Sequence, residues 1–390
     1  MWEVLRLFLT LTKKRNPELI KTGVKLHQAG EIPPNTYVID LDTVADNVKH
    51  MARAAEENEF SLYFMSKQLG RIGELGQWIA EHGIKKAVAV EFEEARRLHE
   101  AGVPLGNVGH LVQPGKHQWP DVLTFDPEVV TVFNIERAKQ VSDAAIGLRK
   151  KQDILLRVIE NGDTIYPGQW GGFQLDELDD IIPILKKLPG VNVVGVTSFP
   201  LLLMDNEGEG LTFTKNLETL LNAKEKLESS GFTITQVNGP SATSTETIPM
   251  LKRAGITHGE PGHALTGTTP LHAIRSLPEN PAIIYVTEVS HQDYEHVYVL
   301  GGGFYERGNT TGAYVGDNAE TIFQTFLKGK PTTSEYIDYY GRLEQGAPVS
   351  VGDTAVYAFR TQVFVTRANV ALVRGLRSNK PEIVHLERRG

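Results

Sequence analysis

The chain has 390 residues, 41% hydrophobic and 23% charged, which is enough for two globular domains with substantial cores. A formal net charge of -8 with no basic block argues against nucleic acid as a partner, and the absence of cysteine excludes disulfides, thiolate chemistry and sulfur-ligated zinc. No stretch approaches the roughly 18 uninterrupted apolar residues of a membrane span, so no membrane association is expected and the cytoplasm is the default compartment.

The N-terminal MWEVLRLFLTLTKKR resembles a signal peptide only superficially. Glu3 sits where a positive region belongs, the lysines follow the apolar run, and no small-residue cleavage site follows. Trp2, Leu5 and Leu9 with Val4, Phe8 and Leu11 fit a helical stripe better. Residues 1–35 therefore read as two helices that pack on one of the domains, closed by Ile32-Pro33-Pro34-Asn35. TYVIDLD (36–42) reads as a strand, and Asp42-Thr43 can cap the helix that follows.

The next strand is the most informative stretch. Phe60 to Ser66 is apolar, aromatic or small, then comes Lys67, and Leu69-Gly70 leads into a helix over about 71–82. An ammonium at the C-terminal end of a buried strand is partly desolvated, which lowers a lysine pKa and makes a nucleophile. The other reading of this stretch alone is a lysine that merely snorkels from the strand end.

Further strands are expected at 85–92, 107–114, 129–134, 153–160, 191–199 and 233–239, alternating with amphipathic helices or Gly-rich loops. Eight such units between about 36 and 256 predict parallel pairing and a closed (β/α)8 barrel, with site residues at the C-terminal strand ends. An open doubly wound sheet is the alternative, but DLDTVADN after the first strand lacks its glycine fingerprint. From about 275 strand-like segments follow one another with few helices, apart from a helical or irregular insert at 317–345. The expected fold class is thus α/β, with an N-terminal helical segment (1–35), a TIM-like barrel (36–272) and a C-terminal β-rich domain (273–390).

Two later stretches carry chemistry. NGPSATST (238–245) follows a strand and opens a helix, so Ser241, Thr243 and nearby N–H groups form either a phosphate cradle or an ordinary capped helix start. In HGEPGHALTG (258–267) a Pro-Gly turn lets backbone N–H groups face an anion, with Glu260 just before it. Gln113, at the end of the fourth strand, is either a ligand contact or a loop-stabilising amide. His110 and His258 lack the partners of a metal site, and no metal is expected.

In order and spacing, YFMSKQLGR, NVGHLVQ, YPGQWGGF, NGPSATS, EPGHALTG and GGGFYERG resemble the alanine racemase-type (fold type III) pyridoxal-phosphate enzymes, specifically their YhfX-like branch, over nearly the whole chain. That resemblance implies pyridoxal 5'-phosphate held covalently by Lys67, with Ser241, Ala242, Thr243, Gly262 and His263 around its phosphate and Arg71 at a position from which a tyrosine reaches the phosphate in alanine racemases. It places Glu260 at the pyridine nitrogen, where alanine racemases have arginine and ornithine decarboxylases of eukaryotic type have glutamate, and Gln113 at the phenolic oxygen. Ser198 stands where related sequences commonly have a histidine that packs on the cofactor ring. Tyr305 lies near the segment that supplies the opposite-face acid/base from a partner subunit, so a head-to-tail homodimer with shared sites is implied; Phe304 is one residue away. The implied activity is amino-acid racemisation or epimerisation, with decarboxylation or a D-amino-acid lyase reaction as the alternative and a non-catalytic cofactor-binding protein as the third.

Overall fold

The computed structural model describes residues 7–308, 310–330, 333, 335 and 337–389. Trp2, Val4 and Leu5 of the expected helical stripe lie outside the described residues. Two compact units are formed: Val48–Ser66 with Arg71–Gly262, and the described residues up to Asn47 with Lys67–Gly70 and those from His263 on.

The first unit is a closed barrel of eight parallel strands: β1 (Ser61–Met65), β2 (Lys86–Ala89), β3 (Leu105–Val108), β4 (Val129–Val132), β5 (Gln152–Ile159), β6 (Val191–Thr197), β7 (Gln236–Asn238) and β8 (His258–Gly259). Each pairs with its neighbours in sequence, and β8 returns to β1 to close the ring. The strands are short and apolar because helices cover them outside and side chains fill them inside. Tyr63, Met65, Val88, Val90, Val129, Leu155 and Val194 make the apolar interior.

The second unit carries six antiparallel strands that also close on themselves: Ile283–Gln292, His296–Leu300, Tyr340–Glu344, Phe326–Lys330, Gly312–Gly316 and Thr354–Tyr357. Two of them, Phe326–Lys330 and Tyr340–Glu344, occupy the insert expected to be helical or irregular. They are short, and Lys328, Lys330, Arg342 and Glu344 give them the charge that obscures a strand pattern.

The segment expected to open the barrel does not. Thr36–Asp40 pairs with Ile283–Gln292 and Asn369–Arg374 and so belongs to the β domain. All five of its residues are buried, so its apolar run reads the same in either sheet. The eighth barrel strand is instead the two-residue His258–Gly259, too short to show any period. The helices Leu7–Arg15 and Pro17–Gln28 pack on the β domain, where Leu19, Ile20 and Val24 share a core with Ile284, Val286, Val356 and Val373. Among the described residues no helix is long and apolar enough to cross a membrane.

Candidate active site

Lys67 follows β1 by two residues and opens a 3-10 turn, Lys67–Leu69. Gly70 (φ +101°) and Arg71 (φ +62°) then turn the chain through left-handed conformations, which explains the glycine and marks Arg71 as strained. The turn is pinned on both sides. Before it, Ser66 Oγ donates to Glu94 Oε1 at 2.6 Å, while Val90 N donates to Glu94 Oε2 at 2.9 Å. After it, the Arg71 guanidinium pairs with Glu91, and its Nε lies 3.9 Å from Glu94 Oε2. Arg71, expected beside a phosphate, is therefore engaged by two carboxylates at the start of the helix Phe92–Glu100.

Above the apolar interior, towards the C-terminal strand ends, the barrel turns polar. Glu260 follows β8 and its side chain is fully buried. Its Oε1 accepts Asn107 Nδ2 at 3.1 Å and Asn238 Nδ2 at 2.7 Å, and its Oε2 lies 3.5 Å from His110 Nε2. Thr131 Oγ1 donates to Asn107 Oδ1 at 2.8 Å. His110, read as unremarkable in the sequence, is thus a direct neighbour of Glu260, with Phe199 edge-on to its ring at 5.8 Å.

Across the next strands Arg157, Thr197 and Asn238 stand in register on β5, β6 and β7. Sequence reasoning missed Arg157, although a lone arginine inside DILLRVI is a signal, since a charge within a buried strand calls for a partner. Arg157 is 2% exposed and its guanidinium lies over the Phe133 ring at 4.6 Å. Nη2 donates to the Gln169 carbonyl at 2.7 Å, whereas Nε and Nη1 are buried and have no hydrogen-bond partner among the described residues. Burial lowers its pKa to about 10.

The other expected residues divide by what their atoms already do. Ser241 Oγ donates to Leu202 O at 2.7 Å and accepts from Leu202 N at 3.0 Å, so this hydroxyl anchors the hairpin Leu202–Met204/Leu211–Phe213. Ala242 takes the left-handed conformation (φ +45°), which turns the chain towards Thr243. Thr243 Oγ1 accepts the Glu260 N–H at 3.2 Å and so fixes the main chain that bears the carboxylate. Ser198 is buried and accepts Asn216 Nδ2 at 3.2 Å. Gln113 Nε2 donates to the carbonyls of Gly109 (2.9 Å) and Thr131 (2.8 Å), leaving its buried Oε1 as an acceptor. Gly262 is buried at the end of the barrel unit.

Within the second unit, His263 Nε2 is 2.9 Å from the Thr361 carbonyl, and Thr361 Oγ1 donates to the Gln68 carbonyl at 3.0 Å. Burial, then the charge of Arg360, hold the His263 pKa well below the ordinary histidine value, so it is neutral and donates through Nε2. Phe304 packs among Tyr285 and Tyr357 in the aromatic centre of the β domain, and Tyr305 is half-buried outside that cluster. At the other end of the barrel a cavity of about 350 Å³ lies among Ser61, Tyr63, Lys86, Glu128 and His258. Its Lys86–Glu128 pair is self-neutralising, and it contains none of the groups above.

These groups fit a heteroaromatic ring with a protonated nitrogen and an anionic oxygen. A buried, hydrogen-bonded carboxylate suits the ring N–H, and the two unmatched donors of Arg157 suit the oxygen.

Residues 39–270 match the alanine racemase N-terminal domain and 284–383 the YhfX-like C-terminal domain. The chain therefore belongs to the YhfX-like family of alanine racemase-type proteins, a family of pyridoxal-phosphate-dependent enzymes with the type III fold. It is 40% identical to the uncharacterized protein YhfX of Escherichia coli K12 over 97% of both chains. Among solved structures it resembles the alanine racemase of Clostridium difficile 630 in complex with cycloserine (TM-score 0.66, 15% identity, 92% of this chain and 98% of that one). It also resembles a single-site mutant of D-threo-3-hydroxyaspartate dehydratase (TM-score 0.69, 15% identity, 92% and 96%). At that identity both likenesses concern the fold.

Proposed function

We propose that this protein binds pyridoxal 5'-phosphate through Lys67 and racemises or epimerises an amino acid at its α-carbon. The observation that carries the reading is Lys67 at the C-terminal end of a barrel strand, in a turn braced by Ser66–Glu94 and Arg71–Glu91. Brace and strand hold the main chain on either side of Lys67, which suits a residue that serves as covalent anchor and proton carrier. When bound, the cofactor supplies an electron sink for charge released at the α-carbon. Lys67 would carry a proton on one face, and Tyr305 of a second copy would serve the other face in a homodimer with shared sites. Arg157 would hold an anionic oxygen of the ligand, and Gln113 Oε1 a donor.

A second reading, decarboxylation or a D-amino-acid lyase reaction, is favoured by one feature. Glu260 is a buried carboxylate where alanine racemases have arginine, and a carboxylate keeps a neighbouring ring nitrogen protonated and the ring strongly electron-withdrawing. Incubating the cofactor-loaded protein with an amino-acid panel in deuterated water separates these outcomes. Deuterium at Cα with loss of optical purity supports racemisation, and release of CO2 or ammonia supports the second reading. Retention of Cα–H with every amino acid would contradict both and leave a non-catalytic cofactor-binding protein.

A further inference from the structure

We propose that Asn107 and Asn238 are positioning residues that clamp the Glu260 carboxylate in its ionised form and in a single orientation, with Thr131 setting the direction of the clamp. The proposal deepens the reading above, on which its catalytic consequence rests. The clamp itself is a property of the polypeptide alone.

Both amides donate to the same oxygen, Glu260 Oε1, at 3.1 and 2.7 Å. Asn107, Asn238 and the Glu260 side chain are all without solvent exposure. Two N–H donors occupy both lone pairs of that oxygen. A proton, or a hydrogen bond from a ligand N–H, must then go to Oε2, the oxygen on the His110 side. Donors given to a carboxylate favour its charged form, and in a dry interior the effect is large.

The direction of each amide matters, because a reversed asparagine sets its carbonyl oxygen against the carboxylate. Thr131 Oγ1 donates to Asn107 Oδ1 at 2.8 Å, which fixes Asn107 with its NH2 towards Glu260. Asn238 takes its direction from the Glu260 bond itself: its Oδ1 is buried and unmatched among the described residues, next in register to Thr197, whose Oγ1 is likewise unmatched. Thr243 completes the arrangement by accepting the Glu260 backbone N–H at 3.2 Å. Protonation on Oε1 would require one asparagine to turn over, and through Asn107 that would break the Thr131 bond; protonation on Oε2 keeps both amides in place but removes the charge to which they donate. The titratable neighbours of Glu260 include His110, beside Oε2, and Tyr63, whose phenol is raised far above its ordinary value chiefly by burial.

The test uses the full chain without cofactor, labelled with 13C at glutamate side-chain carboxyls. The Glu260 signal is assigned by its loss in Glu260→Gln and followed through pH. Asn107→Leu and Asn238→Leu, near in volume but without donors, are expected each to make Glu260 about tenfold easier to protonate, and Thr131→Val about threefold. Asn107→Asp, which sets a charge against the carboxylate, should exceed both. Thr131→Val is the mild variant that keeps the test alive if a leucine variant does not fold. Unchanged titration in the folded variants would overturn the clamp. A second arm loads the same proteins with 15N-pyridoxal phosphate and follows protonation of the ring nitrogen. A clamp acting on the cofactor moves that midpoint in the leucine variants as Glu260→Gln does. If no covalent link to Lys67 forms, the functional reading fails while the 13C result still decides the clamp.

Discussion

The rings of Phe304 and Tyr285 meet edge to face, with centroids 5.1 Å apart and planes at 73°. Phe304 also meets Tyr357 at 5.2 Å, and a side chain on Gly341 would strike its ring. Phe304 is therefore the aromatic that fills the β domain, and its neighbour Tyr305 is the one left outside. Gly303 makes this possible, since a Cβ there would come within 2.2 Å of the Tyr285 ring.

The two positions should accordingly separate stability from function. Phe304→Ala is expected to cost about 2–4 kcal/mol in urea unfolding, the range for removing an aromatic from a packed cluster. Tyr305→Phe should change stability by less than about 0.5 kcal/mol and abolish turnover if its hydroxyl carries the proton. Mixing Lys67→Ala and Tyr305→Phe chains tests the proposed homodimer: shared sites predict recovered activity, and no recovery despite demonstrated subunit exchange would contradict sharing. The reverse pattern, with Tyr305→Phe fully active, would remove Tyr305 from the mechanism.

Arg157 gives an opposite pair of signs. Its buried guanidinium has no anionic neighbour among the described residues, and only burial acts on its pKa, lowering it to about 10. Arg157→Met removes a desolvated cation and keeps most of the volume over Phe133. The protein without cofactor should be as stable as the parent or more stable by about 1–2 kcal/mol. Cofactor affinity, measured by fluorescence titration, should fall at least about tenfold, the loss of one charge-assisted hydrogen bond. Loss of stability with unchanged affinity would make Arg157 a structural residue.

His258 predicts the pH dependence of the barrel. It is a β8 residue whose Nδ1 lies 2.7 Å from Thr257 Oγ1, and burial pushes its pKa down to about 4 from the ordinary 6.5. Between those values the unfolded chain binds a proton that the folded chain does not, so stability rises with pH over this window. A shift of that size corresponds to about 3 kcal/mol lost on going from pH 7 to pH 4. His263 acts in the same direction. Urea unfolding at several pH values should show a shallower slope for His258→Gln than for the parent, and equal slopes would assign the acid sensitivity elsewhere.

Much of this arrangement is legible in the sequence because parallel strands buried on both faces appear as short apolar runs, and Lys67 ends one of them. The same property misassigns Thr36–Asp40, since burial on both faces says nothing about which sheet a strand joins. His258–Gly259 carries two residues and no period. Ser241 and Thr243 read as either a phosphate cradle or a capped helix start, because hydroxyls after a strand look alike in sequence; in the structure they bond the backbone of Leu202 and Glu260. Asn107, Asn238 and Arg157 are single polar residues in apolar strands. Their meaning depends on register across the barrel, which no local pattern contains.

Every catalytic role proposed for the site depends on Lys67 as the covalent anchor. Purified protein incubated with pyridoxal 5'-phosphate, reduced with borohydride and digested should yield one modified peptide, carrying the pyridoxyl group on Lys67. Lys67→Ala should yield none while keeping the parent's unfolding transition within about 1 kcal/mol, as expected for a half-buried side chain. Label on another lysine, or equal labelling of Lys67→Ala, would contradict the assignment of the site.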